Sequence, residues 1–150
     1  MKNSLNKILL SAAGMEALAL RLPIGFILTA HGSQKLFGWF DGYGLEGTGQ
    51  FMDTLGLHPG LLMALLAGSA EFFGGVALML GLFTRLAAAS CAITLLVALV
   101  IVHLGHGFFL DTHGIEYALA LLSATTALLI MGGGSYSIDS YLVRQYFRSV

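Results

Sequence analysis

Four apolar stretches, each about twenty residues long, determine what this chain can fold into. They run from Leu18 to Phe37, from Leu61 to Leu82, from Leu86 to about Leu104, and from Ile115 to Met131. A helix of about twenty residues crosses the hydrocarbon core of a bilayer, which is about 30 Å thick. The chain has 57% hydrophobic and 10% charged residues, with a mean hydropathy of +0.84, unlike a soluble domain. We therefore predict an integral membrane protein.

The connections between these stretches are short, which leaves no room for a separate soluble domain. Residues 1–150 are therefore predicted to form one integral membrane domain. Its fold class is all-α, a four-helix transmembrane bundle. The second and third spans are joined only by Phe83 to Arg85, so they must be antiparallel neighbours.

Two shorter segments have the pattern of helices that lie at the membrane surface. The first follows Thr48, a possible N-cap residue, in the first outer loop; its apolar residues at helical spacing are Phe51, Met52 and Leu55. The second is near the C-terminus, where one side carries Ile138, Tyr141 and Leu142. We predict a short interfacial helix at each place.

The distribution of basic residues predicts the orientation. The side shared by the two termini carries Lys2, Lys7, Arg85, Arg144 and Arg148, whereas the opposite loops carry Asp41, Glu46, Asp53 and Asp111. Because positively charged loops stay on the inner side of a membrane, both termini are predicted to be cytoplasmic.

Ionisable residues inside the spans are the strongest indication of function. A charge in hydrocarbon is costly unless it is paired or hydrated, so each one marks a functional-site hypothesis. On the first span one helical stripe carries Arg21, Gly25, Leu28, Gly32 and Lys35, with His31 beside it. On the second span Gly68, Glu71 and Gly75 share a face that a helix backbone or a flat ligand could approach.

Depth along the helices, at about 1.5 Å per residue, predicts which charges meet. Glu71 falls near the midplane, where the long side chain of Arg21 could reach it, and Glu116 and Lys35 both fall near the outer boundary, where they could pair. These charges could be an ion-pair network that fixes helix packing, or a site that binds or protonates a small polar group. We assign Glu71, His31 and Lys35 as candidate catalytic residues. The candidate ligand-binding residues are Arg21, Gly75, Glu116 and His103.

Histidines form a second pattern in the outer half of the predicted bundle. They are His31, His103, His106 and His113. Facing histidines could hold a haem iron, and histidines with a glutamate could hold a divalent metal. The spacing matches no specific metal motif, so we assign no metal ligand, and haem or metal held by His31, His103 and His106 is the less favoured alternative.

Composition excludes some classes of protein. The net charge is −1, and no basic patch with interleaved aromatics is present, which argues against nucleic acid as a partner. The single cysteine, Cys91, permits neither an intrachain disulfide nor a Cys-x-x-Cys pair, which excludes thiol oxidases. Within an apolar run, Cys91 is predicted to be a packing residue.

Several short motifs, in order along the chain, resemble those of a known family. They are Arg21-Leu-Pro-Ile-Gly25, His31-Gly-Ser-Gln-Lys35, Glu71-Phe-Phe-Gly-Gly75, Gly81-Leu-Phe-Thr-Arg85, Glu116-Tyr117 and Ser135-Tyr-Ser-Ile-Asp139. From about Leu18 to Leu142 the chain resembles the DoxX family of four-helix bacterial inner-membrane proteins. One departure is a run of three glycines after the last span, where the family usually has glycine-proline.

The resemblance implies a multi-pass protein of the bacterial inner membrane and an activity in redox chemistry. The family takes its name from a subunit of a thiosulfate:quinone oxidoreductase. The resemblance implies a membrane subunit of an oxidoreductase that interacts with quinone or a similar small redox molecule. It also implies that this subunit works in the lipid bilayer as a homo-oligomer or with a partner redox subunit. Two alternatives stay open: a membrane scaffold for a redox or stress complex, and a small-solute carrier with Glu71 and Arg21 at its site.

Overall fold

The computed structural model describes Leu9, Ser11 and residues 13–146 of the chain. The described residues form six α-helices and no β-strand: α1 (Glu16–Phe37), α2 (Gly44–Thr54), α3 (Gly60–Leu80), α4 (Thr84–Ala98), α5 (Glu116–Met131) and α6 (Ile138–Tyr146). A π-helical turn (Leu99–His103) and a 3-10 turn (Leu104–His106) continue α4, and another 3-10 turn (Leu110–Thr112) precedes α5. The all-α class is confirmed. Lys2, Lys7 and Arg148, on which the predicted orientation partly depends, lie outside the described residues.

Each predicted span coincides with a helix: α1, α3, α4 with its continuation, and α5. Within the described residues, two helices are long and apolar enough to cross a bilayer, Gly60–Leu80 and Thr84–His106, with mean hydropathies of 1.8 and 2.4. The helix α5 is apolar but has 16 residues. Large apolar side chains face outward, among them Phe26, Phe73, Ile93 and Ile130, with exposed fractions of 63–69%. Such a surface is suited to lipid rather than to water.

Glycines bring α1 and α3 into close antiparallel contact. A Cβ atom on Gly75 would lie 2.5 Å from the carbonyl oxygen of Gly25, and one on Gly32 would overlap the backbone of Phe72. In lipid, helices associate through such close packing of small residues. The predicted stripe on α1 does face the interior, since Arg21, Gly25, Leu28 and Gly32 are buried.

The contact between α3 and α4 also depends on a small residue. A Cβ atom on Gly74 would lie 2.6 Å from the Sγ atom of Cys91, which is fully buried. The predicted packing role of Cys91 agrees with this position. The buried core around it contains Ala17, Leu28, Leu78, Ala87, Ala88, Leu95, Leu121 and Leu128.

The short helix predicted in the loop after the first span is present as α2, but its details differ from the prediction. It begins at Gly44, so Thr48 is not its N-cap; Thr48 is buried within the helix. Gly49 allows α2 to pack on the start of α3, because a Cβ there would lie 3.0 Å from the Cα of Leu61. Phe51, placed on the apolar face by prediction, is 46% exposed. The C-terminal helix is present as α6.

Candidate functional site

An ion pair joins the last turn of α1 to the middle of α3. The Nζ atom of Lys35 lies 2.5 Å from the Oε2 atom of Glu71, and the two side chains are 25% and 5% exposed. Gly68, one turn before Glu71, makes room for the end of α1, since a Cβ on Gly68 would lie 2.8 Å from the Leu36 side chain and 3.2 Å from the Lys35 Cβ. We call Lys35, Glu71 and the neighbouring His31 the Lys35–Glu71 site.

The predicted pairings of Arg21 with Glu71 and of Lys35 with Glu116 are wrong. The first part of α3 extends beyond the end of α1 and packs against α2 instead. Glu71 is therefore level with the last turn of α1, where Lys35 lies. Depths counted from the predicted span edges could not show this offset between the two helices.

His31 connects the ion pair to a third helix. It lies one turn before Lys35 and within electrostatic range of both Lys35 and Glu71. On its other side the imidazole faces the ring of Tyr117 on α5, with ring centroids 6.2 Å apart and an interplanar angle of 55°. A proton on His31 therefore interacts with the charges of the ion pair.

A pocket of about 260 Å³ lies beside His31. Its lining residues are Phe26, Ile27, Ala30, His31, Gln34, Phe40 and Tyr117. The walls are mostly apolar and aromatic, with one imidazole, one carboxamide and one phenol. The Nε2 atom of Gln34 donates a hydrogen bond to the carbonyl oxygen of Phe40, 3.1 Å away. Such a pocket can hold a flat ring and orient its polar atoms.

Three other predicted site residues, Gly75, Glu116 and His103, are not part of the ion pair. The space beside Gly75 is filled by the backbone of Gly25 and by Thr29, so Gly75 is corrected from a ligand contact to a helix contact. Glu116 is the first residue of α5, next to Tyr117, and its amide donates to the carbonyl of Phe108. His103 donates from Nδ1 to the carbonyl of His113, at 2.8 Å.

Two of the histidines predicted as alternative haem or metal ligands, His103 and His106, have backbone partners. His106 donates from Nδ1 to the carbonyl of Val102, at 2.9 Å, within the continuation of α4, whereas the bond from His103 to His113 joins that continuation to the segment before α5. In the part of the chain that the structure describes, no three His, Cys, Asp or Glu side chains are grouped so as to hold a metal ion.

Arg21 belongs to a different polar region, at the C-terminal end of α3. Its Nη1 atom donates to the carbonyls of Leu78, at 3.2 Å, and Met79, at 2.6 Å, and its Nη2 atom donates to the carbonyl of Tyr136. The side chain is almost completely buried, at 1% exposed. A guanidinium is well suited to the unpaired carbonyls at a helix end, where the helix dipole is negative.

Asp139 and Arg85 also bind backbone groups, at two further helix ends. Asp139 accepts hydrogen bonds from the amides of Phe83, at 2.7 Å, and Thr84, at 2.8 Å, at the start of α4. Arg85 donates to the carbonyls of Leu129 and Ile130 near the end of α5, both at 2.6 Å. We call Arg21, Arg85 and Asp139 the Arg21–Asp139 junction.

The sequence offered only a weak signal for Asp139. It lies beyond the last span, after three glycines, in a motif that pointed to the family but not to a role. No periodicity in the sequence indicates that it reaches the start of α4, more than fifty residues earlier. The same holds for Gln34 and Tyr117, whose contact with a pocket depends on how α1 and α5 pack.

The chain matches a family model described as DoxX over residues 17–104. It belongs to the DoxX family. The matched region contains α1 to α4, and with them His31, Lys35, Glu71 and Arg21. Together with the two apolar helices, this membership identifies the DoxX protein as a membrane protein.

Two relatives cover most of this DoxX chain. One, from Bacillus subtilis (strain 168), is named "Putative oxidoreductase CatD" and is 31% identical over 127 residues, which are 85% of this chain and 87% of the relative. The other, from Escherichia coli (strain K12), is named "Inner membrane protein YqjF" and is 32% identical over 143 residues, 91% of this chain and 98% of the relative. No solved structure matches the chain significantly.

Proposed function

We propose that this protein is the membrane subunit of an oxidoreductase and that the pocket beside His31 binds the ring of a quinone or a similar small redox molecule. One observation carries the proposal: His31 lines the pocket and also interacts with the Lys35–Glu71 ion pair. A proton donor or acceptor is thereby placed between a ring-sized space and a pair of charges. The name of the Bacillus subtilis relative supports a redox role.

The size of the pocket favours a single ring. A protein cavity of about 150 Å³ lined by apolar side chains binds benzene, so about 260 Å³ accommodates one ring with small substituents. Phe26 lines the pocket and is also 67% exposed on the outer surface. An apolar tail on the ring would therefore lie against Phe26 and continue into lipid.

The residues around the pocket are suited to proton exchange. Conversion of a quinone to a quinol takes up two electrons and two protons, and this is the chemistry that the bound molecule would supply. His31 would exchange a proton with a ring oxygen, since imidazole is the usual general acid and base near neutral pH. The Lys35–Glu71 pair would compensate the change in charge on His31. The electrons would come from a partner redox subunit.

The proposed setting is the bacterial inner membrane, crossed four times by α1, α3, α4 and α5, with both termini in the cytoplasm. The acidic loop residues would then lie outside, on the same side as the pocket, while Arg85 and Arg144 would lie inside. A homo-oligomer or a complex with the partner redox subunit would complete the enzyme.

The test is quinone retention by the purified protein in lipid nanodiscs. Small molecules are extracted and identified by mass spectrometry, and binding of added ubiquinone-1 is measured for wild type, His31→Asn and Glu71→Gln. The matched control is Glu46→Gln, an exposed residue on α2. We expect about tenfold weaker binding for His31→Asn, the size of one lost hydrogen bond, and no change for the control. Absence of quinone binding to wild type would overturn the proposal.

A scaffold remains the second candidate, because the Lys35–Glu71 pair also ties α1 to α3. On that hypothesis Glu71→Gln lowers thermal stability, and ubiquinone-1 has no specific binding site in either the wild type or the variant. The carrier hypothesis loses its main support, since Arg21 and Glu71 do not meet.

A further inference from the structure

The connection between α4 and α5 projects away from the bundle. All of residues 104–113 are exposed, and nothing lies within 4 Å of a Cβ built on Gly105 or Gly107. Three large apolar side chains follow one another at its end, each 53–65% exposed. We call these residues the apolar tip: Phe108, Phe109 and Leu110.

Hydrogen bonds fold this connection into a compact loop. The Oγ1 atom of Thr112 donates to the carbonyl oxygens of His106 and Phe109, both at 2.9 Å. In all, the backbone carbonyls of residues 106–110 accept hydrogen bonds. The rings of Phe108 and Phe109 contact each other edge to face, with centroids 5.3 Å apart. The apolar side chains are thus presented by a backbone whose carbonyl groups are already paired, which lowers the cost of leaving water.

The apolar tip continues an outward-facing surface of α4. Along that helix and its continuation, large apolar side chains recur at steps of three and four residues, which places them on one helical face. Each is 39–65% exposed: Ile93, Leu96, Val97, Val100, Ile101 and Leu104. Because Thr84–His106 is long and apolar enough to cross a bilayer, this face is turned to lipid. The tip extends it without a break.

Helix length places the apolar tip at the membrane surface. Thr84–His106 has 23 residues, about 35 Å of helix, whereas the hydrocarbon core of a bilayer is about 30 Å thick. The tip follows directly after this helix and therefore lies just beyond the core. Irregular backbone exposed to lipid is excluded from the core itself, but phenylalanine and leucine side chains bury favourably at the boundary between headgroups and acyl chains.

We propose that the apolar tip is an interfacial anchor that inserts into the lipid leaflet on the side of the α4–α5 connection, with its three side chains at the headgroup–acyl boundary. The occupant is lipid because the tip prolongs a helix face that lipid already covers. Asp111, the next residue, carries a charge and stays on the water side. The anchor does not depend on the proposed function, since it involves neither the pocket nor the Lys35–Glu71 site.

The test is fluorescence quenching of the full chain in liposomes. Trp39 is the only tryptophan, so Phe109→Trp is made together with Trp39→Phe. The liposomes contain lipids brominated either near the headgroup or near the chain ends, and iodide is the quencher in water. Bromines near the headgroup should remove most of the Phe109→Trp fluorescence, and iodide little. Phe73→Trp, on the exposed surface of α3, is the deep reference and should respond most to bromines near the chain ends.

Asp111→Trp is the matched control in the same loop and should be quenched mainly by iodide. Leu110→Trp repeats the measurement at a second position of the tip. Quenching of the tip variants by iodide and not by brominated lipid would overturn the inference, since the tip would then face water. Protection from both quenchers would also overturn it, because a protein surface would then cover the tip. Equal quenching of Asp111→Trp by brominated lipid would show that tryptophan itself draws the loop inward, and the inference would fail.

Discussion

The Lys35–Glu71 site and the Arg21–Asp139 junction both bury charge, but they use different partners. At the junction, the charged groups bind backbone carbonyls and amides at the ends of α3, α4 and α5. At the site, two titratable side chains bind each other beside a histidine and a pocket. The two regions are separated along α3 by the distance from Glu71 to Met79, eight helical steps or about 12 Å.

This difference separates a structural use of charge from a chemical one. Backbone groups do not change protonation and arginine stays charged, and the carboxylate of Asp139 accepts from two backbone amides, so each charge at the junction has a fixed backbone partner. Lysine, glutamate and histidine can each gain or lose a proton. We therefore expect changes at the junction to affect mainly stability, and changes at the site to affect mainly ligand binding and turnover.

Asp139→Ala should give the largest loss of stability. It removes the acceptor for two amides at the start of α4 and an opposite charge near the buried Arg21. Removing one member of a buried charge cluster costs about 3–5 kcal/mol. Thermal unfolding in detergent, followed by tryptophan fluorescence, measures the effect. Asp111→Ala, in an exposed loop, is the control, and equal stability of both variants would erase the distinction between the two regions.

Gly32→Ala should come next, because it affects the helix contact that both regions share. The added Cβ would overlap the backbone of Phe72, and such overpacking costs about 1–3 kcal/mol. It should also separate Lys35 from Glu71 and weaken binding of ubiquinone-1. Gly105→Ala, where nothing lies within 4 Å of a Cβ, should match wild type in both assays. A stable Gly32→Ala protein would show that α1 can move away from α3 at little cost.

The double variant Lys35→Met with Glu71→Met sharpens the comparison further. Replacing both members of a buried ion pair by apolar residues is often neutral or stabilising. The free energy of unfolding should therefore change by less than about 1 kcal/mol. Quinone turnover with the partner subunit should nevertheless be lost. Glu71→Met alone should be less stable than the double variant, because it leaves Lys35 without its partner. Full turnover in the double variant would reassign the pair to a purely structural role.

Tyr117→Leu tests the wall of the pocket with a smaller expected effect. Loss of an aromatic contact is worth about 1 kcal/mol, which corresponds to about fivefold weaker binding of ubiquinone-1. Tyr117→Phe keeps the ring that faces His31 and should bind within twofold of wild type. Titration calorimetry in nanodiscs measures both. If the Tyr117→Leu and Tyr117→Phe variants bind ubiquinone-1 equally well, Tyr117 does not contact the ligand.

Asp53, outside both regions, should show the smallest effect. It accepts from His58 and from the Gly60 amide at the start of α3, and these hydrogen bonds lower the pKa of Asp53 below its ordinary value. A carboxylate with a lowered pKa stabilises the fold above its unfolded pKa, and the contribution is lost as pH falls through the folded pKa. The unfolding temperature of wild type should exceed that of Asp53→Asn by a small margin at pH 6. This margin should shrink at pH 3, where the Asp53 carboxylate takes up a proton. An unfolding-temperature difference that is the same at both pH values would contradict the lowered pKa of Asp53.

The sequence predicted the helices better than their relative positions. Apolar length and spacing placed α1, α3, α4 and α5 to within about two residues at most ends, because these patterns are local. The interior stripe on α1 followed from the same periodicity. The start of α2 was wrong because Thr48 resembles an N-cap residue but is buried within the helix, next to Gly49, where α2 packs on α3, and no local pattern contains such a contact.

The candidate site was predicted only in part. Lys35, His31 and Glu71 do come together, and they were predictable as ionisable residues on helix faces. Their pairing was not, because it depends on how far α3 extends past α1. Asp139, Gln34 and Tyr117 were missed as parts of a polar region because each acts through a backbone group or a pocket that exists only after folding.

The shortness of α5 has a consequence for the surrounding lipid. As a span, its 16 residues reach about 24 Å, several ångströms less than the hydrocarbon thickness of about 30 Å. In the proposed four-span arrangement the bilayer would thin locally beside α5, or the helix ends would draw headgroups inward. Because Tyr117 lies in the first turn of α5, this hydrophobic mismatch would bring the water boundary down towards the mouth of the pocket and shorten the path between an aqueous proton and His31.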